Sequence, residues 1–158
     1  VAVNNAMRAN LDDQSFITAL CLMIDADGAN MTCARAGHPM LMKISAGTNR
    51  VEYIESEGVA LGLVADNSMF ASFINEISVP LSPGDRYLMY TDGLTEAWNE
   101  GKACYGVERL SELLENHAGP SPESILDTIM ADIKRFTGNA DYHDDLTILA
   151  LQVTDRPS

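Results

Sequence analysis

Turn signals cut the first ninety residues into short apolar runs, and this restricts the fold more than any other feature of the chain. Residues 16–24 (FITALCLMI) form a nearly continuous apolar run of strand length, closed by Asp25-Ala26-Asp27-Gly28. A second strand is predicted over 30–36, and Gly37-His38-Pro39 ends it. Met40-Leu41-Met42-Lys43-Ile44 then turns through Ala46-Gly47-Thr48-Asn49 into Val51-Glu52-Tyr53-Ile54, which predicts a meander of antiparallel hairpins. Residues 70–79 alternate imperfectly as a further strand. Leu81-Ser82-Pro83-Gly84-Asp85 turns the chain into another apolar run, Arg86-Tyr87-Leu88-Met89-Tyr90-Thr91.

Helical signals come late, apart from an uncapped helix over residues 1–8. Val107, Leu110, Leu113, Leu114 and His117 share one face of a helix that stops at Gly119-Pro120. Ser121 as N-cap and Pro122 at the first helical position open a second helix, with Ile125, Leu126, Ile129, Ile133 and Phe136 on its apolar face and Gly138 at its end. A last strand runs over 146–153. Strands first, helices next and one strand to close describe a layered α+β fold, not a repeating βαβ array. With 158 residues, 46% of them hydrophobic, the chain fits one domain spanning 1–158.

Two acidic stretches stand against strand-like runs: Tyr90-Thr91-Asp92-Gly93-Leu94-Thr95-Glu96-Ala97 and His143-Asp144-Asp145-Leu146-Thr147-Ile148-Leu149. Ionised carboxylates at the ends of buried strands are costly unless paired or holding a cation, so a metal site is the leading reading. Gly93 lets the backbone turn sharply and leaves Asp92 projecting from the strand end. Adjacent Asp144 and Asp145 repel each other unless a cation relieves them. Hard oxygen ligands of this kind suit magnesium or manganese.

Other features carry plainer readings. The net charge of −13 argues against nucleic acid and anionic membranes as partners. No apolar run approaches the length of a membrane span. Cys21, Cys33 and Cys104 are an odd set without CxxC spacing, as expected of reduced, mostly buried thiols in a cytoplasmic protein. His38 reads as a hairpin histidine bonded to backbone in preference to a phosphate donor, and His143 as a solvated loop residue in preference to a ligand. Asp25-Ala26-Asp27-Gly28 reads as a hairpin turn, its glycine coming too early for a calcium loop. Glu96 fits equally a supporting role at the site and the first turn of a helix. The methionines at 23, 31, 40, 42, 69, 89 and 130 read as core filler.

The ordered set Ala34-Arg35-Ala36-Gly37-His38-Pro39, Leu61-Gly62-Leu63, Leu81-Ser82-Pro83-Gly84-Asp85, Tyr90-Thr91-Asp92-Gly93-Leu94-Thr95-Glu96-Ala97 and Asp144-Asp145-Leu146-Thr147 resembles the SpoIIE/RsbU-like phosphatases, the bacterial branch of the metal-dependent phosphatase 2C family. The resemblance implies an α-β-β-α sandwich of two antiparallel sheets flanked by helices. It also implies a two-ion Mn2+ or Mg2+ centre with Asp92 and Asp144 as ligands, Gly93 and Asp145 in support, and no catalytic side chain assigned in this chain. The implied reaction is hydrolysis of phosphoserine by a metal-activated water. The implied partners are a phosphorylated anti-anti-sigma protein of STAS type and an upstream sensor or receiver domain; a homodimer is compatible with the resemblance.

Relatives of this kind also carry an early aspartate and an Asp-x-x-Gly-His-Gly segment ahead of the first helix, and neither occurs here. The domain is therefore expected to be N-terminally incomplete, with little or no phosphatase activity in this chain alone. The alternative is a catalytically incomplete phosphatase-like module that binds a regulatory partner without turnover.

Overall fold

The computed structural model describes residues 1–12, 14–117, 119–141 and 144–155. The chain packs as two compact units, one of residues 1–40 and 54–81, the other of residues 41–53 and 82–158. In the first unit, helix α1 (Ala2–Arg8) precedes strands β1 (Ala19–Ile24) and β2 (Asn30–Ala36), and helix α2 (Asn67–Phe73) precedes strand β5 (Glu76–Pro80). The sheet order is β1-β2-β5, antiparallel throughout, with Ala19 opposite Ala36 and Cys33 opposite Ile77.

A small core of Ala36, Leu61 and Phe70, with Met7, Ala19, Val59, Val64 and Ile74 packed on it, ties these helices to the sheet. Buried Asn4 fastens α1 by its amide. Its Nδ2 donates to the Val64 carbonyl at 3.0 Å, and its Oδ1 accepts from the Gly62 N–H at 2.9 Å. Both polar ends of the side chain are thereby satisfied, as burial requires.

The second unit holds β3 (Leu41–Ile44), β4 (Val51–Ile54), β6 (Arg86–Tyr90) and β7 (Ile148–Gln152) in the order β4-β3-β6-β7. The short helix α3 (Asp92–Thr95) follows β6, and the long helices α4 (Val107–His117) and α5 (Pro122–Thr137) come between it and β7. Met42, Ile44, Leu88 and Tyr90 form one core with Leu110 and Leu114 of α4 and Ile125, Ile129 and Ile133 of α5. Each such aliphatic side chain contributes roughly 1.5–3 kcal/mol by leaving water.

The caps of α5 are as the sequence dictates. The Ser121 hydroxyl accepts from the Ser124 N–H, the Ser124 hydroxyl answers on the Ser121 N–H, and Gly138 ends the helix.

Several expectations need correction. The chain is not one meander: β2 pairs with β5 and β3 with β6, so the two hairpins enter different sheets. Residues after β4 run back alongside β2 so closely that a Cβ at Gly58 would lie 1.6 Å from the Arg35 carbonyl oxygen. The strand expected over 70–79 is helix α2 followed by a shorter strand, because Asp66 caps the helix by accepting from the Met69 N–H at 2.7 Å and Phe70 is buried.

The strand expected over 16–24 forms only from Ala19, and Phe16, Met23 and Ile24 are exposed. Only Cys33 of the three free cysteines is buried. Of the methionines read as core filler, Met31 and Met42 are fully buried, whereas Met23, Met40, Met69 and Met130 are exposed. Among the described residues no helix is long and apolar enough to cross a membrane.

Candidate metal centre

One hydroxyl joins the two acidic stretches. The β6–β7 register, with Tyr90 opposite Ile148, carries both strands to the same end of the sheet. There the Thr91 N–H donates to the Thr147 carbonyl at 3.0 Å. The Thr91 Oγ1 donates to the Asp145 carbonyl at 2.9 Å and accepts from the Thr147 N–H at 2.9 Å. Donor and acceptor capacity of a single hydroxyl are both used, which holds the Asp144-Asp145 segment against the start of α3.

Gly93 permits the approach. A Cβ on it would fall 2.5 Å from the Asp145 carbonyl oxygen, 3.1 Å from the Asp145 carbonyl carbon and 3.4 Å from that of Asp144. No larger residue fits without moving the backbone that carries Asp144. The contact sets the Gly93 backbone directly against that of Asp145.

Asp92 opens α3, and its Oδ1 accepts from the Gly93 N–H at 3.1 Å. Asp144 mirrors this, its Oδ1 accepting from the Asp145 N–H at 2.7 Å. One oxygen of each carboxylate is thus steered by the next peptide. Asp92, Asp144 and Asp145 are all exposed, which corrects the expectation of buried charge. The carboxylates sit beyond the strand ends in water, and it is the Thr91 latch and the Gly93 contact that bring their backbones together.

Hard carboxylate oxygens on adjoining backbones fit a magnesium or manganese ion that keeps several of its waters. Among the described residues, no group of three or more His, Cys, Asp or Glu side chains is gathered for a metal. His143 lies outside the described residues.

Glu96 is the C-cap residue of α3, its N–H donating to the Asp92 carbonyl at 2.8 Å. It is not in the first turn of a helix, and among the described residues its side chain makes no hydrogen bond to either aspartate. With Gly93, Ala97, Trp98 and Asp144 it lines a small pocket of about 130 Å3. Sequence reading missed Thr91 and Trp98. Thr91 could have been suspected as the first polar residue after an apolar strand, but its partner lies 54 residues away.

His38 is placed in the first unit, where its Nδ1 pairs with the Thr18 hydroxyl at 3.2 Å and its carbonyl accepts from Arg35 at 2.9 Å. A larger cavity of about 750 Å3 in that unit, lined among others by Ala19, Cys21, Leu61 and Phe70, contains none of the site aspartates.

Asp132 of α5 is a buried hub. It accepts from Arg109 Nε at 2.8 Å, from Arg109 Nη2 at 3.1 Å and from the Tyr105 hydroxyl at 2.9 Å, and it pairs with Arg135 at 3.0 Å. The Arg109 hydrogen bonds hold the Asp132 carboxyl below the usual carboxylate range. Burial, then the bond to Asp132, pushes the Tyr105 phenol well up. The Arg109 guanidinium also lies over the Tyr105 and Phe136 rings, 5.3 and 4.9 Å from their centroids.

Two antiparallel sheets with helices are the architecture of phosphatase 2C-like domains, and solved structures of that type share the fold. The family model for stage II sporulation protein E (SpoIIE) matches residues 2–154, and the chain belongs to that family of PP2C-like protein serine/threonine phosphatases. Protein IcfG of Synechocystis sp. (strain ATCC 27184 / PCC 6803 / Kazusa) is 28% identical over 141 residues, or 89% of this chain. The chain spans 21% of the length of IcfG.

The RsbU and RsbW domains of Rv1364c from Mycobacterium tuberculosis match with a TM-score of 0.76 at 26% identity, over 99% of this chain and 41% of that one. The manganese-presoaked phosphatase domain of SpoIIE from Bacillus subtilis matches over 100% of this chain and 67% of that one, with a TM-score of 0.68. At 17% identity this last likeness shows the fold.

Proposed function

We propose that this chain is the major part of a metal-dependent protein serine/threonine phosphatase domain of a bacterial signalling protein. Its substrate would be phosphoserine on an anti-anti-sigma partner of STAS type in the cytoplasm. The observation that carries the reading is the Thr91 and Gly93 arrangement, which brings Asp92 and Asp144 together on adjoining backbones.

Asp92 and Asp144 would hold Mn2+ or Mg2+, with Asp145 keeping the loop in place through its carbonyl on Thr91. When bound, the metal supplies positive charge to a phosphoryl oxygen and lowers the pKa of a water. Family membership and the manganese soaked into the SpoIIE structure support that choice of ion. A chain that carries both RsbU and RsbW domains supports a partner in sigma-factor control.

The second reading is a module that binds its partner without turnover. Phosphate release from a phosphoserine STAS protein separates the two. The full-length protein with manganese should release phosphate, and Asp92→Asn or Asp144→Asn should abolish the release. The 158-residue chain alone should release little or none. Full-length protein that binds the partner but never releases phosphate would establish the second reading.

A further inference from the structure

Thr91 stands where strand β6 gives way to helix α3, and its main chain cannot serve both. Tyr90 lies opposite Ile148, so Thr91 comes opposite Thr147 and donates its N–H to the Thr147 carbonyl at 3.0 Å. In a continued antiparallel ladder the Thr147 N–H would return to the Thr91 carbonyl. That carbonyl is already taken, because it accepts from the Leu94 N–H at 3.0 Å in the first turn of α3. The Thr91 hydroxyl takes its place and accepts from the Thr147 N–H at 2.9 Å. The ladder therefore runs one residue past β6 while the chain turns into the helix that Asp92 opens.

The same hydroxyl reaches the second aspartate through one residue's main chain. It donates to the Asp145 carbonyl at 2.9 Å, and the Asp145 N–H donates to Asp144 Oδ1 at 2.7 Å. Gly93 bounds that carbonyl from another direction, since a Cβ there would lie 2.5 Å from its oxygen. A valine at position 91 would match the shape of threonine, but it could neither donate to Asp145 nor accept from Thr147.

We infer that Thr91 is a positioning residue for the metal pair, its hydroxyl setting the Asp144 carboxylate relative to Asp92 through the main chain of Asp145. This inference rests on the reading of Asp92 and Asp144 as metal ligands and adds to it the group that fixes their relation. Partners that orient metal ligands by hydrogen bonds commonly carry roughly 10–100-fold of the metal affinity. Thr91 acts one step further out, on the backbone that carries the ligand.

The 158-residue chain and its Thr91→Val and Thr91→Ser variants are titrated with manganese by calorimetry, with thermal melts on the same samples. Thr91→Val should weaken manganese binding by about tenfold or more. Thr91→Ser restores the hydroxyl without the methyl group and should recover most of that loss. In hydrogen exchange without metal, the Thr147 amide should lose protection in Thr91→Val and keep it in Thr91→Ser. Thr91→Ala removes the hydroxyl without adding bulk and takes the place of Thr91→Val if that variant does not fold.

A Thr91→Val variant that melts lower but binds manganese as tightly as the unsubstituted chain would reduce Thr91 to a stabilising residue and overturn the assignment. So would a Thr91→Ser variant that binds as weakly as Thr91→Val. The metal reading fails in a different way, through manganese binding that neither Asp92→Asn nor Asp144→Asn weakens.

Discussion

The two units of this chain bury their apolar residues very differently. In the second, strands β3, β6 and β7 share one core with α4 and α5, and Leu88, Leu110, Leu114, Ile125, Ile129 and Ile133 have no solvent exposure. In the first, Val3, Phe16, Met23, Ile24, Leu63 and Met69 are all more than half exposed, and strand β1 stands at the edge of its sheet among the described residues, with no lysine, proline or charge in residues 19–24. The candidate metal centre lies wholly on the second unit. A site that must hold two carboxylates in fixed relation is built where the packing already fixes the backbone, and loops on a rigid scaffold are where such residues are expected.

The contrast can be broken at its strongest point. Leu110→Ala should cost about 2–5 kcal/mol in urea unfolding, because a cavity opens in a core without slack. Met23→Ser in β1 should stay within about 0.5 kcal/mol, its side chain being 62% exposed. Equal losses would show that the first unit is packed as tightly as the second.

Gly93→Ala tests whether the site depends on backbone approach and not on overall stability. The added carbon would sit 2.5 Å from the Asp145 carbonyl oxygen, so a cost of about 1–3 kcal/mol and weakened manganese binding are expected together. Thermal melts and metal titration on the same sample measure both. A fully stable Gly93→Ala variant with unchanged metal affinity would remove the close approach from the account.

The smallest predicted effect depends on pH. Asp132 has a folded pKa lowered first by Arg109, so its contribution to stability is fully present above the unfolded value of about 3.9 and is lost as pH falls through the folded value. Asp132→Asn should therefore lose roughly 2 kcal/mol near neutrality and much less near pH 2. Urea midpoints at the two pH values check the sign; a loss that grew on acidification would contradict it.

Much of the second unit was legible in sequence because its signals are local. Ser121, Pro122 and Gly138 mark the ends of α5, and the spacing of Ile125, Ile129 and Ile133 gives its buried face. Asp92 and Asp144 stood out because short polar runs interrupt strand-like ones. What could not be read depended on contacts distant in sequence. The assignment of β2 and β3 to different sheets rests on pairings with β5 and β6, and Thr91 reaches Asp145 across 54 residues.

Helix α2 was missed for a smaller reason. Residues 70–79 straddle the end of a helix and the start of a strand, and the Asp66 cap that would have separated them lies just outside that window. The expectation of buried charge failed because strand ends on the surface look, in one dimension, like strand interiors.

The central claim is that Asp92 and Asp144 together form a cation site, and manganese titration of the 158-residue chain followed by calorimetry tests it most directly. Removing one charge from so small a ligand set should weaken binding by at least about tenfold in both Asp92→Asn and Asp144→Asn, with folding unchanged. Manganese affinity unaltered by either substitution would contradict the account.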